Sequence, residues 1–139
     1  MRAAALAAAL AALLVAGCGG EPTPSPEQVV STAVSGVSQG KEQQVCAQLT
    51  AGAKKKLLAN LADNPLGYPD IKAATCEEGI SKLHAQLSKP IRDVLQDGEV
   101  DDARIDGDKA VVHVTGAGMD VELQKISDRW MIVDGFFRR

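Results

Sequence analysis

Few side chains in this sequence are suited to acid–base catalysis. The chain has 2 histidines, His84 and His113. His113 lies in a segment where Ala110, Val112 and Val114 alternate as one apolar face, so its position falls on the opposite face. His84 avoids the apolar positions of a predicted helix. We therefore predict that both histidines are surface residues, and we assign no catalytic residue.

The opposite orientation of that segment would favour an enzyme. His113 would then face a pocket beside Asp102 or Asp134 and act as a general base, the role that histidine takes most often in catalysis. This alternative stays open, because a one-residue change of parity exchanges the two faces of a strand.

Acidic residues are concentrated in the segment 101–108, which raises the hypothesis of a calcium site. A calcium-binding loop that starts at Asp102 would place Arg104 third and His113 twelfth, where oxygen ligands are needed. The pattern therefore fails, and we predict neither a metal nor a cofactor. Asp106-Gly107-Asp108 instead indicates the solvated tip of a hairpin.

Charge and aromatic content argue against nucleic acid as a partner. The sequence has 15 basic and 18 acidic residues, a net charge of −3, and only 1 tryptophan, 1 tyrosine and 2 phenylalanines. It therefore lacks a basic stripe for phosphates and a stacking platform for bases.

The run Lys54-Lys55-Lys56 is interpreted as the solvent-exposed face of a helix. A lipid-tethered domain could alternatively lay it, or Arg138-Arg139, on anionic headgroups.

The N-terminus carries the strongest targeting signal. Arg2 precedes an unbroken run of Ala, Leu and Val over residues 3–15, and the small residues Ala16 and Gly17 come directly before Cys18. This pattern is typical of a secretory signal peptide. The run is shorter than the roughly 20 residues that cross a bilayer as a helix, so we do not predict a permanent membrane span.

The segment Leu14-Val15-Ala16-Gly17-Cys18 resembles the lipobox of bacterial lipoproteins, although valine stands at a position where leucine is commoner. The resemblance implies that residues 1–17 are removed and that Cys18 carries a diacylglyceryl group. The protein is then anchored through this lipid on the extracytoplasmic face of the cell membrane. An ordinary cleaved signal with an incidental cysteine is the alternative.

The predicted domain organisation follows from that cleavage. Residues 18–26 form the lipidated cysteine and a Pro-rich tether, and the eight residues 19–26 reach roughly 25 Å when extended. Residues 27–139 suit a single domain. Because Cys18 is spent on lipid, Cys46 and Cys76 remain as an even pair in an oxidising compartment, and we predict that they form a disulfide.

Apolar periodicity predicts helices first and strands last. The helices are expected at about 26–39, at 42–49, after a Thr50 cap, and after a Thr75 cap, with Pro90 ending or kinking the last. The strands are expected at 100–105, 109–115, 119–126 and 130–133. The last strand is apolar on both faces, which predicts a covered central position. The fold class is therefore α+β, with N-terminal helices packed on an antiparallel sheet.

One face of the predicted sheet supplies a contiguous set of apolar side chains. They are the candidates to line a small pocket against the helices: Ala110, Val112, Val114, Met119, Val121 and Leu123.

Several of these segments together resemble the small secreted nuclear-transport-factor-2-like lipoproteins of high-GC Gram-positive bacteria. The matching segments are Cys46-Ala47-Gln48-Leu49-Thr50, Thr75-Cys76-Glu77-Glu78, 106–112 and 128–132. The resemblance implies a curved antiparallel sheet wrapped around the helices into a cone, as in cystatin-like folds, often with an apolar pocket at its open end. It implies no single function, because this fold hosts enzymes and binding modules alike.

The expected function is that of a membrane-anchored, non-catalytic protein of the cell envelope. We expect it to bind a partner protein or a small apolar ligand, because acid–base residues and aromatic residues are both scarce. The alternative is an enzyme of isomerase or dehydratase type that uses a pocket histidine and aspartate. The pocket lining distinguishes the two, since an enzyme needs convergent titratable side chains.

Overall fold

The computed structural model describes residues 19–63 and 70–138. The predicted signal peptide, the lipidation site Cys18, the segment 64–69 and Arg139 lie outside this part. The described residues form five helices followed by four strands. The helices are α1 (Pro26–Gln39), α2 (Glu42–Cys46), α3 (Ala51–Ala62), α4 (Cys76–Gln86) and α5 (Lys89–Asp97), and the strands are β1 (Arg104–Asp106), β2 (Lys109–Val114), β3 (Met119–Ile126) and β4 (Arg129–Asp134).

Local signals fix both ends of α1. The Ser25 hydroxyl accepts from the Gln28 N–H at 3.3 Å, and the Gln28 side chain accepts from the Ser25 N–H at 2.9 Å, which completes a capping box. Gly40 ends the helix with a left-handed φ of 66°, a conformation that favours glycine. The predicted bounds of this helix are confirmed. Its branched apolar stripe is buried at the centre of the domain: Val29, Val30, Ala33, Val34 and Val37.

The other helices differ from the sequence expectations at two places. Helix α2 ends at Cys46 rather than near residue 49, because the chain there turns to pair with the sheet. Helix α4 ends at Gln86, and Pro90 lies in the first turn of a separate helix, α5. Proline is tolerated in a first turn, where its missing N–H has no helical partner to lose.

The four strands form an antiparallel meander in the order β1-β2-β3-β4. Ala110 pairs with Leu123, Val112 with Val121, and Val114 with Met119. Because side chains on directly opposed residues point to the same face, these pairs build one continuous apolar surface. Helix α1 packs against this surface at β2 and β4, which confirms an α+β domain with the helices on the sheet.

The prediction that the last strand is central is wrong. Strand β4 is at the end of the sheet order, but its free edge is covered by the chain after α2. The Ile132 N–H donates to the Gln48 carbonyl at 2.8 Å, and the Thr50 N–H donates to the Ile132 carbonyl at 3.0 Å. This short parallel bridge pairs main-chain groups at the edge of β4 without a fifth strand.

The structure confirms the disulfide between Cys46 and Cys76. It joins the end of α2 to the start of α4, with 6.0 Å between the two Cα atoms. Both cysteines are buried among core side chains. In the chain-entropy model, closing a loop of 30 residues stabilises the fold by roughly 3–4 kcal/mol.

No helix in the described part of the chain is both long and apolar enough to span a membrane.

Candidate functional site

An open pocket of about 480 Å³ lies between α5, the β2–β3 turn and the end of the chain. This volume falls in the range of small-molecule sites, about 300–1,000 Å³. We call this pocket the α5 groove. Its lining is Leu87, Pro90, Ile91, Val94, Leu95, Gly116, Ala117, Gly118, Met119, Phe137 and Arg138.

Helix α5 forms one wall of the groove with side chains that are only partly covered. Of its nine residues, Leu95 alone is buried. Ile91 and Val94 are 40% and 48% exposed, and they are two of the four large hydrophobic side chains that are exposed in the described residues. The wall therefore presents aliphatic surface to solvent at a concave site, which is the condition for burying an apolar ligand.

The β2–β3 turn forms the opposite wall and approaches α5 closely. A Cβ atom on Gly116 would lie 2.5 Å from the Val94 Cγ1 atom, so this approach requires glycine. Gly118 has a left-handed φ of 59° and reverses the chain into β3. The side chain of Ala117, between the two glycines, is exposed. The wall is thus made of small residues, which leaves room for a ligand.

The floor of the groove is buried and apolar. Leu87, Leu95, Met119 and Phe137 are each no more than 6% exposed. Phe137 has a φ of 53° and contacts Phe136 edge to face, with 4.8 Å between the ring centroids. A left-handed phenylalanine costs about 1–2 kcal/mol, so burial of the ring must hold it there. The floor is consequently part of the packed domain rather than a loose flap.

Of the described residues that line the groove, Arg138 alone is charged. Its Nη1 atom is 3.4 Å from the Asp134 carboxylate, which already accepts from Lys56 Nζ at 2.6 Å and from the Gly135 N–H at 2.8 Å. These contacts lower the pKa of Asp134, with the Lys56 hydrogen bond as the largest cause. The negative charge of Asp134 is therefore balanced mainly by Lys56. Most N–H donors of the exposed Arg138 guanidinium stay available.

The six predicted pocket residues all lie on the inner face of the sheet and are buried. Met119 alone lines the α5 groove. Ala110, Val112, Val114, Val121 and Leu123 belong to the core, in one buried cluster with the apolar side chains of α1. The other residues that line the groove were not predicted from the sequence. A signal existed in Leu87, Ile91 and Leu95, which recur every four residues across Pro90.

The histidines lie outside the lining of the groove. His113 Nδ1 is 2.9 Å from Asp120 Oδ1 on the outer face of the sheet, as the strand parity predicts. The carboxylate that His113 contacts is thus Asp120, and not Asp102 or Asp134 as in the enzyme alternative. His84 is half-buried rather than a free surface residue. Its Nδ1–H donates to the Val37 carbonyl at 3.0 Å, and its ring lies against Gly40 at the end of α1.

The charged clusters outside the groove do not form a metal site in the described residues. Within residues 19–63 and 70–138, no group of three or more His, Cys, Asp or Glu side chains is arranged to hold a metal ion. Asp106 and Asp108 flank the exposed Gly107 of the β1–β2 turn. Lys54-Lys55-Lys56 lies on α3, and its last member, Lys56, is paired to Asp134.

Comparison with known proteins adds no relative: no family model, curated protein or solved structure matches the chain. The geometry of the groove is therefore the basis for a functional argument.

Proposed function

We propose that this protein is a membrane-anchored, extracytoplasmic lipoprotein whose domain binds a small apolar ligand in the α5 groove without catalysing a reaction. The observation that carries the proposal is the lining itself: exposed Ile91 and Val94 lie over a buried apolar floor, in a groove of about 480 Å³. Covering each of these two half-exposed side chains would contribute about 1 kcal/mol. Among the described residues, the lining offers no carboxylate, histidine or cysteine for acid–base or nucleophilic chemistry.

The lipid anchor is the second part of the proposal, supported by the lipobox resemblance at Cys18. Helix α1 begins at Pro26 with its own capping box, and residues 19–24 before it are exposed and form neither helix nor strand. Such a segment suits a tether between a lipidated cysteine and a domain. Cys18→Ala should abolish incorporation of labelled palmitate and leave a misprocessed precursor. Palmitate entering the mutant protein would refute the anchor.

We also propose the nuclear-transport-factor-2-like cone for the domain. Helices on one face of an antiparallel sheet support it, as does the register shift at Glu122/Leu123, since a bulge bends a strand and curves a sheet. An experimental structure of the domain would test the proposal through the curvature of the sheet.

Ligand binding is tested with the neutral fluorescent dye phenylnaphthylamine. Every described helix and strand lies between residues 26 and 134, so the chain 19–139, which lacks the signal peptide and Cys18, retains the fold and avoids competition from the protein's own lipid. Ile91→Glu places a charge in the groove and should weaken dye binding at least tenfold. The matched control is Ile105→Glu, since Ile105 is 57% exposed on β1 and outside the groove. Equal dye binding by the two variants would contradict the proposed site.

A further inference from the structure

We propose that the α5 groove binds a single-chain fatty acid, with its carboxylate on Arg138 and its hydrocarbon chain along the α5 wall. This inference rests on the proposed function and names the class of ligand. Three features support it: the position of Arg138, the charged groups around Arg138, and the absence of other polar side chains along the described lining.

The position of Arg138 provides the site for a headgroup. Its side chain is 59% exposed at the edge of the groove, and its ion-pair contact to Asp134 is long at 3.4 Å. Lys56 holds that carboxylate more closely, at 2.6 Å. A ligand carboxylate can therefore take two parallel N–H donors of the guanidinium without breaking a strong pair. Such a bidentate contact is the geometry in which arginine recognises a carboxylate.

The surroundings of Arg138 favour a headgroup with one negative charge. Asp120 and Glu122 line a shallower hollow that shares Gly118, Met119 and Arg138 with the groove. The two carboxylates repel any anionic headgroup, but they repel a phosphate with nearly two charges about twice as strongly as a carboxylate with one. The local charge thus favours a fatty acid over a phosphorylated lipid.

The rest of the lining requires a hydrocarbon. Apart from Arg138, the groove residues are Leu, Pro, Ile, Val, Gly, Ala, Met and Phe, so the described lining has no other side chain that hydrogen-bonds strongly. A sugar, a nucleotide or a polar peptide would lose its hydrogen bonds to water there without replacement. An unbranched acyl chain needs no such partners, and it suits a groove that is open along one side.

The test compares an acid and an alcohol of equal chain length. Dodecanoate and dodecanol are used to displace phenylnaphthylamine from the chain 19–139, at a pH where the acid is ionised. Dodecanoate should bind about tenfold more tightly than dodecanol, because only the acid forms a charge-assisted contact. Arg138→Gln should remove this difference, because dodecanoate then loses its charge-assisted contact and binds no more tightly than dodecanol. Arg129→Gln, at the opposite end of β4, is the matched control and should preserve the difference.

Each contrary outcome has a distinct meaning. If the dye binds in the groove but the acid and the alcohol displace it equally, the fatty-acid inference is overturned and the proposed function stands. Tighter binding of dodecyl phosphate than of dodecanoate would also overturn it, in favour of a phosphorylated headgroup. If the dye does not bind at all, the proposed function fails together with the inference.

Discussion

The α2–α4 region and α5 show two opposite uses of a helix in one domain. In the first region the buried disulfide joins two helix ends, and side chains such as Val45 and Ile80 are completely buried. Helix α5 buries only Leu95 and leaves two aliphatic side chains exposed over a groove. The comparison teaches that burial and exposure of apolar surface are separated: the covalently joined helices bury theirs in the core, whereas α5 packs on α1 and still presents apolar surface to solvent.

The largest effect that follows concerns the disulfide. Cys46→Ala combined with Cys76→Ala should lower the free energy of unfolding by roughly 3–4 kcal/mol, because the unfolded chain is no longer restricted by the 30-residue loop. The melting temperature should fall by roughly 10–20 °C in a thermal scan. Ile91→Glu in α5 serves as the comparison and should shift it by a few degrees at most. A double mutant as stable as the parent would show that the bond does not stabilise the domain.

A matched pair of valine substitutions separates core from groove. Val121 is completely buried on the inner sheet face, whereas Val94 is 48% exposed on α5. Val121→Ala should cost about 2 kcal/mol in chemical denaturation through lost burial and a cavity. Val94→Ala should cost no more than about 0.5 kcal/mol, yet it should weaken binding of phenylnaphthylamine. If Val121→Ala weakened dye binding and Val94→Ala did not, the ligand would bind at the inner face of the sheet, among the residues predicted from the sequence.

Features determined by neighbours along the chain were predictable, and those determined by distant contacts were not. Helix α1 combines a cap, an apolar stripe and a glycine stop within its own sequence, so its bounds followed directly. Pro90 has two meanings, since proline either ends one helix or begins the next. The choice depends on how the chain after Gln86 packs, and α5 was therefore missed.

The groove was hidden for a related reason. Its walls come from α5, from the turn around Gly116 and from Phe137 and Arg138, which are far apart in the sequence. Strand parity correctly gave the buried face of β2 and β3, but it did not show that this face is buried in one core cluster with the apolar side chains of α1. An apolar inner face is common to core and pocket, and only the packed helices distinguish them.

Acid should weaken the link between α3 and the end of β4. Lys56 and the Gly135 N–H lower the pKa of Asp134 in the folded protein, so its contribution is complete above the pKa of an unfolded aspartate, about 3.9. That contribution is lost as the pH falls through the lower, folded pKa. Lys56 is half exposed, which limits the pair to about 1 kcal/mol or less. Lys56→Met should reduce the loss of stability between pH 5 and acid, measured by urea unfolding. An unchanged pH profile would contradict this link.

The smallest effect is expected on the outer face, where His113 also tests whether the chain is an enzyme. Its side chain is 40% exposed and contacts Asp120 across β2 and β3, so His113→Ala should change stability by no more than about 0.5 kcal/mol. Binding of phenylnaphthylamine should also be unchanged, because His113 does not line the α5 groove. A severe loss of ligand binding or of biological function with unchanged stability would reverse the assignment. It would place the functional chemistry on the exposed face of the sheet, with the His113–Asp120 pair as general base and partner carboxylate. The comparison between the disulfide-linked helices and α5 would then concern stability alone.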